Sequence, residues 1–341
     1  MSLVQPTITV LMPMYNSEEF IREAIDSIIT QTFTDFEFLI IDDSSDKSYE
    51  IVKSYSDPRI RIIKNSPPLG LRKSSNLGIR EAKGKYIARM ESDDIAFPNR
   101  LEKQFKFMES HPKVTVSGCY IETFGNETGV WKFPLTDAEI KAGLIWGITI
   151  GHPTSFFRRE FLLSEKLFYN EDGFSYAEDW EFFYTMRNKA VFQNIGEVLY
   201  RYRRSGGSVT KRMKPNRDKI MNEMFSRVLS EFGILFSDED IKLHRMFVGD
   251  FYLDQDFSNL KKAQQWLNRL IEHNATTQTY SQDAFKRICE DKWKSLFYLI
   301  APLGSKAVYL YFSLSSKIYY DHIAYYVKHS INKLIGRNPI G

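Results

Sequence analysis

Short apolar runs and helical stripes alternate along the first 120 residues. Residues 8–12 are a mostly apolar run closed by Pro13, which reads as a buried strand. Phe20, Ile21, Ala24, Ile25, Ile28 and Ile29 then recur at helical spacing. Asn16 and Ser17 stand where they can cap that helix, with Glu18 and Glu19 in its first turn. The alternation continues with strands predicted at 36–41, 60–63, 86–90 and 114–119. Helices are predicted at 48–55, at 74–82 with Gly84 as a stop, and at 98–108 with Pro98 in the first turn. Repeated β-α units predict an α/β, Rossmann-like, mostly parallel sheet flanked by helices.

Residues 121–215 are less regular. Helices are predicted at 137–146 and 176–187, and the stretch Gly151-His-Pro-Thr between them reads as part of a second half that completes the sheet. From residue 216 the pattern is helical, with clear segments at 261–273 and 282–298. The expected organisation is therefore a domain over 1–215, in halves 1–120 and 121–215, with a helical region over 216–341.

Hydrophobic content of 43% against 26% charged residues excludes a disordered chain. Cys119 and Cys289 lie too far apart for a disulfide scaffold or a metal-type spacing, so a cytoplasmic location is expected. The first residues show no basic segment leading into a long apolar run, so no signal peptide is expected. No window reaches the roughly 18 apolar residues of a spanning helix. The net charge of +3 hides an asymmetry. Residues 1–200 hold 23 basic and 29 acidic side chains, and residues 201–341 hold 23 and 14. Residues 292–341 carry seven Lys or Arg and one acid, Asp321, interleaved with Trp293, Phe297, Tyr298, Tyr309, Tyr311, Phe312, Tyr319, Tyr320, Tyr325 and Tyr326. This basic aromatic tail reads either as a helical segment at a membrane interface or as an aromatic cap on the core. Nucleic acid is not an expected partner.

The chemistry concentrates at strand ends. The strand from Tyr86 runs into Glu91-Ser92-Asp93-Asp94, three carboxylates within four residues. Burying such a cluster unpaired is costly, and Mg²⁺ or Mn²⁺ is the natural partner for hard oxygen ligands. Asp42 and Asp43 close the second strand, and in a parallel sheet both clusters face one crevice. Taken alone, Asp42 could equally be a cap or turn residue. Tyr15, after Pro13, could flank a base or pack on the first helix. Asp179 could be a helix N-cap, and His152 could line a second substrate or simply hold a loop.

Pro13-Met-Tyr15-Asn-Ser-Glu18, Gln31-Thr-Phe, Ile41-Asp42-Asp43-Ser-Ser-Asp46, Asn76-Leu-Gly, Gly84-Lys-Tyr-Ile, Glu91-Ser-Asp93-Asp94-Ile-Ala-Phe-Pro98 and Arg100-Leu-Glu-Lys-Gln104 together resemble family 2 glycosyltransferases. The likeness is ordered over residues 6–118. It continues more loosely to about 210 through His152-Pro-Thr, Ala177-Glu178-Asp179-Trp180-Glu181 and Leu199-Tyr-Arg-Tyr-Arg203.

The resemblance implies the GT-A fold and inverting transfer from a nucleotide-diphosphate sugar, most commonly a UDP-sugar. It implies that Asp43, with Asp42, receives the nucleobase beside Pro13, Tyr15 and Glu18. The divalent metal would be held by Asp93, with Glu91 at the first acidic position of the family motif and Asp94 in support. Arg72 or Lys73 could add charge near the phosphates or simply be surface charge. Asp179 would be the general base, with Glu178 as its rival, because an acceptor hydroxyl is a poor nucleophile until a carboxylate takes its proton. Together with this activity, the basic aromatic tail leads to the expectation of an acceptor at the inner face of the membrane, a saccharide or lipid-linked saccharide in cell-surface polysaccharide or glycolipid assembly.

Two positions depart from the family. Glu91 replaces the usual Asp, which moves the charge by one methylene. No His comes within the few residues after Tyr202-Arg203, so Arg203 and Arg204 are the candidates for contacting the diphosphate. A sugar nucleotidyltransferase is the alternative enzyme, but the segment after the first strand has no Gly or Lys for a phosphate loop. A non-catalytic sugar-nucleotide-binding protein is the third reading, and the presence of Asp93 and Asp179 counts against it.

Overall fold

A computed structural model describes residues 5–174, 176–204, 214–249 and 257–334. The chain divides into two compact units, Met1–Leu144 with Ile148–Met224, and Ile145–Gly147 with Phe225–Gly341. The division falls within helix α8 (Lys214–Phe232), beyond the expected boundary at 215–216.

The first unit is built on a nine-stranded sheet. Its strands are β1 (Ile8–Met14), β2 (Phe36–Asp42), β3 (Ile60–Lys64), β4 (Tyr86–Arg89), β5 (Ile95–Ala96), β6 (Val116–Gly125), β7 (Gly129–Trp131), β8 (Phe156–Arg158) and β9 (Phe192–Arg204). They run in the order β3-β2-β1-β4-β8-β6-β9-β5, with β7 on β6. Strands β3, β2, β1 and β4 are parallel, as are β6 and β9, whereas β8, β7 and β5 pair antiparallel. The register aligns the strand ends. Met14 pairs with Asp42 and Asp42 with Lys64, while the Met90 amide donates to the Leu11 carbonyl. The chain after β4 therefore emerges at the same edge as the chains after β1 and β2.

Both faces of β1 and β2 are buried, which is why they read as continuous apolar runs. Helix α1 (Ile21–Ile29) and helix α4 (Arg100–Ser110) pack Ile21, Ala24, Ile25, Ile28, Leu101 and Met108 onto that core. Gly84 is needed for close approach, since a Cβ there would lie 2.4 Å from the Thr9 amide nitrogen.

Several expected boundaries move. Helix α1 starts at Ile21 with no side-chain cap, because Asn16 and Ser17 spend their side chains on neighbouring turns. Helix α3 (Leu71–Glu81) starts three residues early, and α5 (Asp137–Gly143), capped by Thr136, ends before Trp146. Helix α2 (Ser48–Lys53) and helix α7 (Glu178–Met186) fall within their expected ranges, and α6 (Arg159–Ser164) comes directly after β8. Strand β9 escaped the pattern. Its pairing to β6 shifts register at Cys119, Tyr120 and Ile121, and half-buried residues on both faces at its end, Arg201, Arg203 and Arg204 among them, blur the two-residue alternation.

The second unit is helical, with α9 (Asp238–Met246), α10 (Ser258–Thr277), α11 (Gln282–Ile300), α12 (Ser305–Leu314) and α13 (Tyr320–Leu334). His244 is fully buried, accepts from Trp266 Nε1 at Nδ1 (3.2 Å) and donates from Nε2 to the Ile145 carbonyl (3.0 Å). Burial pushes its pKa down to about 3, so this histidine is neutral. Most of the tail aromatics expected at an interface pack on one another instead: Trp293 stacks on Tyr311, and Phe297 touches Tyr298, Tyr311, Phe312 and Tyr325. Among the described residues, no helix is long and apolar enough to cross a membrane.

Candidate active site

Three turns meet at the carboxyl edge of β1, β2 and β4, and their side chains lace them together. Asn16 sits at φ 47°, a conformation Asn tolerates, and its Oδ1 accepts the Ser45 amide at 2.9 Å. The Asn16 amide donates to Ser44 Oγ at 3.0 Å, and the Ser17 amide to Ser48 Oγ at 2.8 Å. Glu18 accepts the Lys47 amide, while its own amide donates to Asp46. The Ser17 and Ser92 hydroxyls, 2.6 Å apart, tie the first turn to the acidic one. Pro13 is buried in β1, while Tyr15 stands 65% exposed at the rim, so its ring is open to a ligand.

The two carboxylates after β2 are engaged by the protein. Asp42 is buried, accepts the Ser44 amide and pairs with Lys64 at 3.1 Å. Asp43 Oδ1 accepts from Asn65 Nδ2 and the Leu69 amide, and Oδ2 from the Gly70 amide and the Ser74 hydroxyl. Burial acts to raise its pKa, but these four donors outweigh it and hold Asp43 below its usual value. Asp43 thereby fastens the 65–70 loop and the start of α3 to the sheet edge.

The acidic turn is less satisfied. Asp93 is pushed up to about 6, by burial first and by the Glu91 charge second. Asp94 is raised well above its usual value by burial and by Asp93. Its Oδ1 accepts the Arg203 amide at 2.8 Å, and its buried Oδ2 makes no hydrogen bond. Glu91 turns toward a buried Arg89, whose Nε lies 3.0 Å away, and His152 Nδ1 approaches it at 3.6 Å. Arg100, fully buried, holds the Arg89 and Pro153 carbonyls together through one nitrogen. His152 meets the Tyr169 hydroxyl at 2.7 Å, and burial keeps it neutral.

This turn suits a cation. Uncompensated carboxylate charge at Asp93 and Asp94 is what a hard divalent ion relieves. Among the described residues, no group of three or more His, Cys, Asp or Glu side chains could enclose the ion alone. A hard divalent ion held at this turn would take one or two carboxylates from the protein and its remaining ligands from elsewhere, the usual mode for Mg²⁺.

Arg203 does not reach outward. Its Nε donates to the Asp93 carbonyl at 2.8 Å, Nη2 pairs with Glu23 at 2.8 Å, and the guanidinium lies between the Phe20 and Phe124 rings at 4.6 and 4.5 Å. It braces the acidic turn from behind. Arg204 pairs with Glu127. The Ser205-Gly206-Gly207-Ser208 stretch lies outside the described residues. Arg72 donates to the Gly173 carbonyl, and its charge acts on Glu178.

Across from the acidic turn stands the start of α7. Its N-cap is Ala177, so Asp179 is a first-turn residue and not the cap. Asp179 Oδ1 accepts the Trp180 amide at 2.7 Å. Burial raises Asp179 to about 6, and Glu91 and Arg89 lie close enough for their charges to act on it. Glu178 is raised to about 7, by burial and then by Asp179, and its Oε2 is buried without a hydrogen bond. Trp180 is a core residue whose Nε1 donates to the Leu144 carbonyl. Arg89 and Tyr169 do not stand out in the sequence. The available signal was Arg89 itself: a cation inside an apolar strand, two residues from Glu91 and so on its face.

The model of Glycosyl transferase family 2 matches residues 9–174. An uncharacterized glycosyltransferase of Haemophilus influenzae is 32% identical over 247 residues, covering 67% of this chain and 76% of the relative. The chain belongs to glycosyltransferase family 2. A second family member, an uncharacterized glycosyltransferase of Methanocaldococcus jannaschii, is 33% identical over 70% of this chain and 82% of its own. Among solved structures, residues 1–349 of S. aureus TarS in complex with UDP align with a TM-score of 0.54 at 18% identity, covering 85% of this chain and 92% of that one. That likeness establishes the GT-A fold, with a helical C-terminal region beyond the family 2 domain.

Proposed function

We propose that this family 2 glycosyltransferase moves a sugar, with inversion, from a nucleotide-diphosphate sugar to an acceptor hydroxyl. The observation that carries the reading is the pairing of two carboxylates with different needs. Asp93 is half-buried and short of positive charge, and Asp179, raised to about 6 near Glu91, can accept a proton at neutral pH. A UDP-sugar is the proposed donor, since a structural neighbour of the same fold is described with UDP and with UDP-GlcNAc.

Tyr15 stacks on the nucleobase at the rim. A base could hydrogen-bond Asp43 only by displacing one of its four protein donors, so Asp43 and Asp42 serve by shaping the pocket wall from the 65–70 loop. Asp93 is the direct ligand of a Mg²⁺ or Mn²⁺ ion, with Asp94 in support and Glu91 contributing from its pair with Arg89. When bound, that ion neutralises the departing diphosphate as a Lewis acid. Asp179 takes the proton of the acceptor hydroxyl as its oxygen attacks the anomeric carbon from the face opposite the diphosphate. Arg72 helps keep Glu178 ionised at the same mouth. The proposed acceptor is a saccharide or lipid-linked saccharide in cell-surface polysaccharide or glycolipid assembly, met at the inner face of the membrane.

The test is release of nucleoside diphosphate from a panel of nucleotide sugars, with and without Mn²⁺, in parallel with thermal shift. Metal-dependent release that vanishes in Asp93→Asn supports the reading. Full activity in Asp93→Asn, or release of pyrophosphate in place of nucleoside diphosphate, overturns it.

A further inference from the structure

Helix α13 is turned inside out for a surface helix. Its inward side carries His322, stacked on Phe297 at 4.1 Å, and Tyr325, edge-on to Tyr298 at 4.9 Å. Its outward side carries Tyr320, Ile323, Val327 and Ile331, which are 85%, 45%, 50% and 51% exposed. At 100° per residue these four fall within a single stripe about 80° wide. Exposed Ile318 precedes it, and Leu303 and Tyr309 are exposed at and near α12. A run of large apolar side chains facing water on consecutive elements is not explained by the scatter of single residues found on any surface.

The charge around this stripe selects its occupant. Lys328 lies next to Val327, and Lys306 lies one turn before Tyr309; both are exposed. The only acid in residues 292–341, Asp321, is already neutralised by Lys294 at 3.0 Å and bonded to the Tyr298 hydroxyl. With Lys306 and Lys328 exposed beside the stripe, a second copy of the same face would bring like charges together. A surface that is apolar below and anionic above meets both requirements.

We infer that the outward face of α13 lies in the interface of an anionic lipid bilayer, its Ile and Val side chains among the acyl chains and Lys306 and Lys328 among the headgroups. This deepens the lipid-linked-acceptor reading and rests on it only for biological sense. The face itself belongs wholly to the helical unit.

The full-length protein is tested by sedimentation with phosphatidylcholine vesicles, with and without phosphatidylglycerol. Binding is expected only with phosphatidylglycerol and should weaken as salt is raised. It should fall roughly tenfold or more in Lys306→Glu/Lys328→Glu and be lost in Ile323→Asp/Val327→Asp. These positions are exposed, and unchanged circular dichroism and donor turnover in solution show that the variants are folded. Absent vesicle binding, equal binding to neutral vesicles, or unchanged binding by both variants overturns the inference. Self-association abolished by Ile323→Asp/Val327→Asp, without lipid binding, also overturns it. Any of these with donor turnover intact leaves the transferase reading standing, whereas lipid binding without turnover of any donor counts against that reading instead.

Discussion

Replacing Asp179 by Asn should destroy activity and stabilise the protein, and the second effect is the more searching test. The amide side chain keeps the shape and can still accept the Trp180 amide, so the substitution removes little but the charge. Asp179 has an ordinary value of 3.8 and stands at about 6 in the folded protein. A carboxylate raised on folding costs nothing below pH 3.8, where both states are protonated. The cost grows between 3.8 and about 6 and is fully present above that. The interval corresponds to at most ~3 kcal/mol, and partial exposure reduces it to ~1–2 kcal/mol. At pH 8 the Asp179→Asn protein should therefore melt roughly 2–5 °C higher than the wild type, and near pH 4 the gain should largely vanish. Turnover should fall roughly 10²–10⁴-fold, the usual range for losing a general base. Differential scanning fluorimetry across pH, beside a nucleoside-diphosphate release assay, reads both. An Asp179→Asn protein destabilised at pH 8, or a gain independent of pH, would refute the claim that this carboxylate is held ionised against its surroundings.

The same geometry sets three other outcomes. In the wild-type enzyme kcat/KM should rise with pH up to about 6 and level off as Asp179 ionises, a limb that saturating Mn²⁺ should not move; a profile flat down to pH 5 contradicts it. Arg203→Ala should raise the Mn²⁺ concentration needed for half-maximal activity about tenfold or more, with Arg203→Lys intermediate, because the brace on the Asp93 carbonyl is lost; an unchanged Mn²⁺ titration rejects the bracing role. Asp43→Ala strands four donors and should lower the melting temperature markedly, at a cost of ~3 kcal/mol or more, before any donor is added. A melting curve that matches the wild type would show the loop is fastened by something else.

The first half of the fold was legible because β1, β2 and β4 are buried on both faces and leave mostly apolar runs, while α1 and α4 show clean stripes. The acidic turn stood out as three carboxylates within four residues, whereas Asp179 lies at a helix start, where Asp is common, and was marked only by the resemblance to family 2. What stayed hidden is what long-range pairing decides. Strand β9 reads as polar because its partners, not its own period, bury it. Arg203 sits beside two more arginines and looks like surface charge, and only the approach of Phe20, Phe124 and Glu23 shows it to be an internal prop. Asn16 and Ser17 fit a helix cap locally, yet the nearby turns claim them first.

The position of β9 also bears on where a working piece of this enzyme can be cut. The stretch that the family 2 model matches closes at residue 174, before the proposed base and before the arginine that steadies the acidic turn. A fragment trimmed to that stretch would keep every residue of the acidic motif, yet Asp94 would lose the amide it now accepts and Asp93 the support beneath its carbonyl. Such a fragment would carry the signature without the machinery. The shortest catalytic piece worth expressing must extend through the last residue of β9.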